Sequence, residues 1–569
     1  MFEKRFLKKM AMALAAAILL TIAGSRLDRI RSMRREYRLT ADPIHGVHPK
    51  LVLATQVLAA FRGLILDVVW IRGQMLMDQG KYYELVQLSH WACELNPRFP
   101  RAWAFNAWNC AYNVSVEMTN MAERWRWVDE GIRLLRDKGI PWNPDSSLLY
   151  FELGYIYMHK IADVMDDAHG YYKRQLASYY HGILGGAGPE EQLVLMAAAP
   201  KTLEELKKDP RVAEYLDKCR LVGVDIIEDF FDYIRRSQTY PESVRAVVEI
   251  PAFAKERKAV DVFCRARKLR EECKLDPEKM LALVREYGPF DWRLAQPHAI
   301  YWAHEGMRAA RRQNEDLAKR FPDLMKNSDK DRAVREIDFD RIIYGSMSSL
   351  LRFGEIVFDS NGQMLPLYGP NFKFADKMCD VCEQILKKYG DTYMGLAAFY
   401  ENFLIQATIE FYLSGNSTKS REYYAKLQDK FPNRPEHKLK WEFYISECGF
   451  KYMVEYRFGV LGSSHWVFSE LLFAYRALAC NDDNSYLLHY RLAQQICKEA
   501  NKHADQMRLL DFRQIDNVAL RLMAIDNRYG LTQELRENLR ARVGKERLAA
   551  AEAEMRRQKR PAPDNAVQE

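Results

Sequence analysis

A chain of 569 residues is too long for one compact core and calls for roughly two to four domains or a continuous solenoid. Its hydrophobic content of 48% and aromatic content of 12% exclude a largely disordered protein. The net charge of +8 is local: residues 1–40 carry ten basic side chains against three acidic ones, so the rest of the chain sums to about +1 and shows no basic run suited to a nucleic acid.

The first predicted element is Met10–Gly24, an apolar run without a charge. Lys4, Arg5, Lys8 and Lys9 precede it, and six arginines from Arg26 to Arg38 follow. The pattern predicts an uncleaved membrane helix, with a cleaved signal segment and a soluble helix as alternatives. The larger basic count after the run argues for a cytoplasmic body; a type II anchor with an exported body is the competing orientation.

Helices are then expected over 50–79, 81–95, 101–117, 121–138, 146–163 and 166–184, each with apolar residues at three-and-four spacing and Asn, Pro or Gly between them. Leu51–Trp70 reads as a buried repeat helix rather than a second span, because Arg62 and Asp67 lie inside it. Gly185–Pro189 is a turn. Residues 190–340 remain helical but irregular, broken at Pro200, Pro210, Pro241, Pro251, Pro289 and Pro297. Phe358–Phe372 is the longest loop. Paired helices return on either side of Gly415, further amphipathic helices follow over 465–527, and Leu531–Arg557 reads as a solvated helix before a frayed tail. No alternating strand run is apparent, so the class is all-α. The ten cysteines are scattered through apolar helical contexts and read as buried free thiols.

The segment Val69–Trp103 carries the spacing of a two-helix unit of about 34 residues. Gly73 and Ala92 fall where two antiparallel helices would touch, Gly80 where the first would end, Tyr82 at an aromatic position and Pro97 where the second would stop. Leu153, Gly154 and Tyr157 repeat the first-helix pattern. These residues resemble the tetratricopeptide (TPR) repeat, although Leu85 and Ser89 stand where that family has alanine and an aromatic. Trp91–Tyr172 and Tyr287–Trp302 are similar to stretches of a group of uncharacterised bacterial membrane-anchored TPR-like proteins. What the resemblance implies is a fold and a topology: a TPR-like helical-repeat solenoid with an N-terminal membrane helix, placed at the bacterial inner membrane. The expected organisation is an anchor over 1–40, repeats over 41–185, an irregular helical region over 186–340, a partly TPR-like C-terminal region over 341–545, and a charged helix end with a disordered tail over 546–569.

No nucleophile elbow, Walker loop, dinucleotide fingerprint or His-Glu-x-x-His motif is present, so neither catalysis nor a cofactor is expected. Cys379 and Cys382 have a two-residue gap but no second pair at zinc spacing, and read as plain helix residues. His298 and His304 are placed on different helix faces and read as packing. Trp103 and Tyr112 belong to an aromatic cluster, and Asn106, Asn109 and Asn113 recur at three-and-four spacing beside it. A polar stripe next to aromatics suits hydrogen bonding to an extended peptide, and these five residues are the candidate partner-binding face. The expected function is therefore a non-enzymatic, membrane-anchored scaffold or adaptor for a protein partner. The alternative is a metal-dependent enzyme with a helical-solenoid body, using the cluster of His159, Asp163, Asp166 and His169.

Overall fold

The computed structural model describes residues 62–95, 97–163, 165–320, 329–358, 364–369, 371–390, 394–413, 415–449, 459–502, 509–525 and 531–558, with positions 21, 29, 32 and 33 near the start. Helices dominate them. The longer ones are α1 (Arg62–Asp78), α2 (Tyr82–Leu95), α3 (Pro100–Trp108), α4 (Met121–Arg133), α5 (Ser147–Tyr155), α6 (His169–Leu184), α7 (Pro210–Leu221), α8 (Ala254–Glu271), α9 (Pro277–Tyr287), α10 (Ala295–Arg320) and α11 (Asp329–Phe353). After a short ribbon come α12 (Ala375–Tyr389), α13 (Met394–Leu413), α14 (Ser417–Lys430), α15 (Gly459–Ala479), α16 (Asp483–Lys502), α17 (Phe512–Ala524), α18 (Gln533–Val543) and α19 (Lys545–Gln558). The class is all-α.

The chain forms two compact units, one of residues 1–97 and 311–330, the other of 98–310 and 331–569. In the first, α1 and α2 make an antiparallel hairpin. Gly80, at φ +67°, lets the N–H of Lys81 reach back to the Leu76 carbonyl and close the first helix. A Cβ on Gly73 would meet Leu85 Cδ1 at 3.4 Å, and Leu76, Leu85, Ala92 and Cys93 form the buried seam. The expectation of a buried helix over Leu51–Trp70 is revised where it is described: Val68, Trp70 and Ile71 are exposed, because α2 covers only one side of α1.

The expectation of a chain held at the bacterial inner membrane by a single anchor is corrected. Among the described residues no helix is long and apolar enough to cross a membrane. The run Met10–Gly24 that prompted it lies, apart from Thr21, outside the described residues.

In the second unit two of the longer helices of the irregular region, α7 and α9, start at proline. Asp209 and Asp276 cap α7 and α9 by accepting from the N–H of Arg211 and Glu278, and Pro210 and Pro277 fill the first helical position, where no N–H is needed. Tyr215, Phe253, Val260 and Phe263 centre a separate cluster there. Two strands, β1 (Glu355–Phe358) and β2 (Met364–Gly369), pair antiparallel with Ile356 opposite Tyr368 and a register irregularity before Phe358. β2 lies within the loop expected over Phe358–Phe372, and β1 ends where that loop was to begin.

His298 is fully buried against Trp292, Tyr157 and Tyr180 and donates from Nε2 to the Trp292 carbonyl at 2.9 Å. Burial pushes its pKa down to about 4, so the ring stays neutral. Cys379 and Cys382 are buried in α12, and burial raises both thiols.

Candidate functional site: an aromatic face on two pi-helical turns

The site grows from α3 and α5, each of which runs directly into a π-helical turn: Asn109–Val114 after α3 and Ile156–Ala162 after α5. A third such turn, Leu134–Gly139, follows α4. Hydrogen bonding from i to i+5 widens the helix locally, which brings side chains four apart closer to eclipsed than an α-helix does. Two pairs spanning the starts of these turns show the effect. Trp108 and Tyr112 stack with centroids 4.1 Å apart and planes 22° apart. Tyr155 and His159 stack at 4.9 Å and 10°.

The two helices bring these pairs together. Trp108 lies 6.1 Å from Tyr155 at 18°, Phe151 lies 5.8 Å from Tyr155 at 20°, and Tyr112 Oη is 3.4 Å from His159 Nδ1. The result is a cluster of rings in which Trp108, Phe151 and Tyr155 are near-parallel, while Tyr112 is tilted by 36° from Tyr155 and 39° from His159. Trp108 is 37% exposed, and Tyr112, Phe151, Tyr155 and His159 are half-buried, so solvent reaches the layer while its back is packed. Aromatic rings buried in a core would pack on both sides.

Behind the layer sits a charged network. Asp166 accepts from Lys160 at 2.6 Å, from Arg124 at 2.9 Å and from the Ala168 N–H at 2.8 Å. Lys160 Nζ also lies 5.1 Å from the Tyr112 ring centre. Burial raises the Asp166 carboxyl, but the Lys160 bond, the Ala168 N–H and the two cations outweigh it and hold it below the ordinary range. Asp166 is thus a fixed structural anion that positions Lys160 under Tyr112.

Glu152 is different. It lies on α5 beside Tyr155, is half-buried, and makes no ion pair or hydrogen bond among the described residues. Burial pushes its pKa up to about 7. Its charge is felt by both Tyr112 and Tyr155. Asp163, where the π-turn ends, also acts on Tyr112 and Tyr155, so carboxylates lie on both sides of the rings along the chain.

The five residues expected to bind a partner separate in the structure. Trp103, Asn106 and Asn109 are 2%, 0% and 1% exposed and face the interior. Only Tyr112 and Asn113 reach solvent, and Asn113 spends its amide on Asn109 Oδ1 at 2.6 Å. The Nδ2 groups of Asn106 and Asn109 are buried without a partner among the described residues. Trp108 and Tyr112 reach solvent beside the buried stripe. Of the residues outside the five, Trp108 belongs to the same aromatic cluster and Phe151 and Tyr155 had a signal in sequence, rings at 151, 155 and 159 each four apart; Glu152 had none.

The residues of the alternative metal centre are dispersed. Asp166 is consumed by two cations, His159 faces Tyr112, and His169 Nδ1 accepts from Lys173 at 3.1 Å. Among the described residues no group of three or more His, Cys, Asp and Glu is placed to hold a metal ion. No protein-family model, curated protein or solved structure matches this chain.

Proposed function

We propose that this protein is a non-enzymatic helical scaffold or adaptor of TPR-like type that binds a protein partner through the ring layer of Trp108, Tyr112, Phe151, Tyr155 and His159. The observation that supports it is the half-exposed stack itself: parallel rings packed from behind by a fixed ion network and open in front. Large rigid aromatics give contact area at little conformational cost, and such residues dominate protein-binding surfaces.

The test is site-specific crosslinking in the source cells. Trp108 is replaced by the photoreactive amino acid p-benzoylphenylalanine, with Leu221, 85% exposed and outside the ring layer, as the control position. A protein adduct that forms from position 108, is absent from position 221 and disappears in the Tyr155→Ala background supports the docking face. Equal adducts from both positions would refute it.

A further inference from the structure

The ring layer has a charge as well as a shape. Glu152 beside Tyr155 is a carboxylate held partly out of water that makes no ion pair or hydrogen bond among the described residues; Lys160 and Arg124 are bound to Asp166 instead. Those two cations are already paired with Asp166, and their positions are fixed by it. Lys160 sits over Tyr112, whose ring is also stacked on Trp108. Tyr112 is therefore supplied with a cation from within the chain, whereas Glu152, Tyr155 and the exposed indole of Trp108 are not. A half-buried carboxylate without a partner is costly unless something completes it. A negative ring face next to that carboxylate attracts a cation.

We propose that the partner docks on this face through an arginine, whose guanidinium stacks on the Trp108–Tyr155 layer and pairs with Glu152. The reading rests on the docking face proposed above. Arginine fits better than lysine, because a flat guanidinium stacks on rings and still presents its forked donors to a carboxylate in the ring plane. Tyr155 lies within 20° of both Trp108 and Phe151, so these three offer a near-parallel face rather than a closed cage for a spherical ammonium group. Asp163, exposed where the π-helical turn ends, adds a second negative charge felt by Tyr112 and Tyr155. The partner segment would thus be basic at one position and apolar beside it.

The experiment uses the full chain and three short fluorescent peptides of glycine and serine. One carries an arginine next to a leucine; in the others citrulline or glutamate replaces the arginine. Citrulline keeps the shape and loses the charge. Fluorescence anisotropy should show the arginine peptide binding about ten-fold more tightly than the citrulline peptide, the worth of one well-placed cation contact. Glu152→Gln should remove most of that difference and leave citrulline binding in place. Equal binding of arginine and citrulline, or a difference that survives Glu152→Gln, overturns the arginine anchor. If the citrulline peptide binds and Trp108→Ala or Tyr155→Ala abolishes it while Glu152→Gln does nothing, the docking face stands and only the anchor fails. If Trp108→Ala and Tyr155→Ala leave every peptide unaffected, both readings fail together.

Discussion

At the scale of single residues, two buried titratable groups pull stability in opposite directions. His298 is neutral in the fold, with its pKa moved from 6.5 to about 4 by burial. As pH falls from 6.5 to 4 the unfolded chain takes up a proton that the folded chain refuses, so stability drops with acidification. Glu152 is raised from 4.5 to about 7, again by burial. Between those values the folded chain holds a proton that the unfolded chain has lost, so stability drops as pH rises. The two slopes oppose each other from about pH 4.5 to 6.5. Glu152→Gln removes one of them. The variant should lose about 3 kcal/mol between pH 6.5 and 4 in urea titrations, while the parent chain changes far less over the same window. A parent and variant with the same pH profile would show that Glu152 is solvated. A second residue-scale prediction concerns Asn106. Its Nδ2 lacks a partner, and its Oδ1 receives only a long 3.9 Å contact from Cys110. Asn106→Leu keeps the branched shape and removes the stranded amide, and its bulkier methyls offset part of the benefit, so urea unfolding should show a gain of at most about 1 kcal/mol. None of this was legible in sequence: an asparagine at helical spacing looks the same whether its amide meets a ligand or an apolar wall.

At the scale of elements, helix contacts depend on two glycines to different degrees. A Cβ on Gly131 in α4 would lie 2.8 Å from the Ala107 carbonyl oxygen, a backbone atom that cannot move aside. A Cβ on Gly154 in α5 would lie 3.3 Å from the Ala299 carbonyl oxygen, which a small shift relieves. Alanine gains up to about 1 kcal/mol of helix propensity over glycine. At Gly154 that gain offsets the crowding, and Gly154→Ala should melt within a degree or two of the parent. At Gly131 the overlap wins, and Gly131→Ala should cost about 1–3 kcal/mol by thermal melting. The helices were readable from three-and-four spacing because each buries one stripe. The strands were not. Pro366 sits inside β2, and proline argues against a strand by periodicity alone. The π-turns were also hidden, since they change how many residues close a turn and leave the apolar pattern almost intact.

At the scale of the whole molecule, two compact units with separate interiors predict more than one unfolding event. Calorimetry should give a total enthalpy larger than the van't Hoff enthalpy of the main transition; equality of the two would mean that the units unfold as one. Residues 311–330 belong with the N-terminal unit although nearly the whole second unit lies around them in sequence. That grouping rests on contacts between distant segments, which neither composition nor periodicity records. The all-helical class, by contrast, was open to reading from the start, because it follows from local pattern repeated along the chain.

The ring layer is specified by chain length as much as by residue identity. Trp108 over Tyr112 and Tyr155 over His159 are four apart, and the extra residue each helix carries at that point brings them closer to eclipsed than an ordinary helix would. A scan that exchanges side chains one by one would find the rings and overlook what aligns them. Removing a residue would expose it. Deleting Met158 should let the end of α5 rewind as ordinary helix, with the bend at Asp163 taking up the slack. Far-ultraviolet circular dichroism would then stay nearly constant, while the near-ultraviolet signal of the stacked rings would fall. A chain related to this one but shorter by a single residue in each turn could keep all of these aromatics and have no face at all.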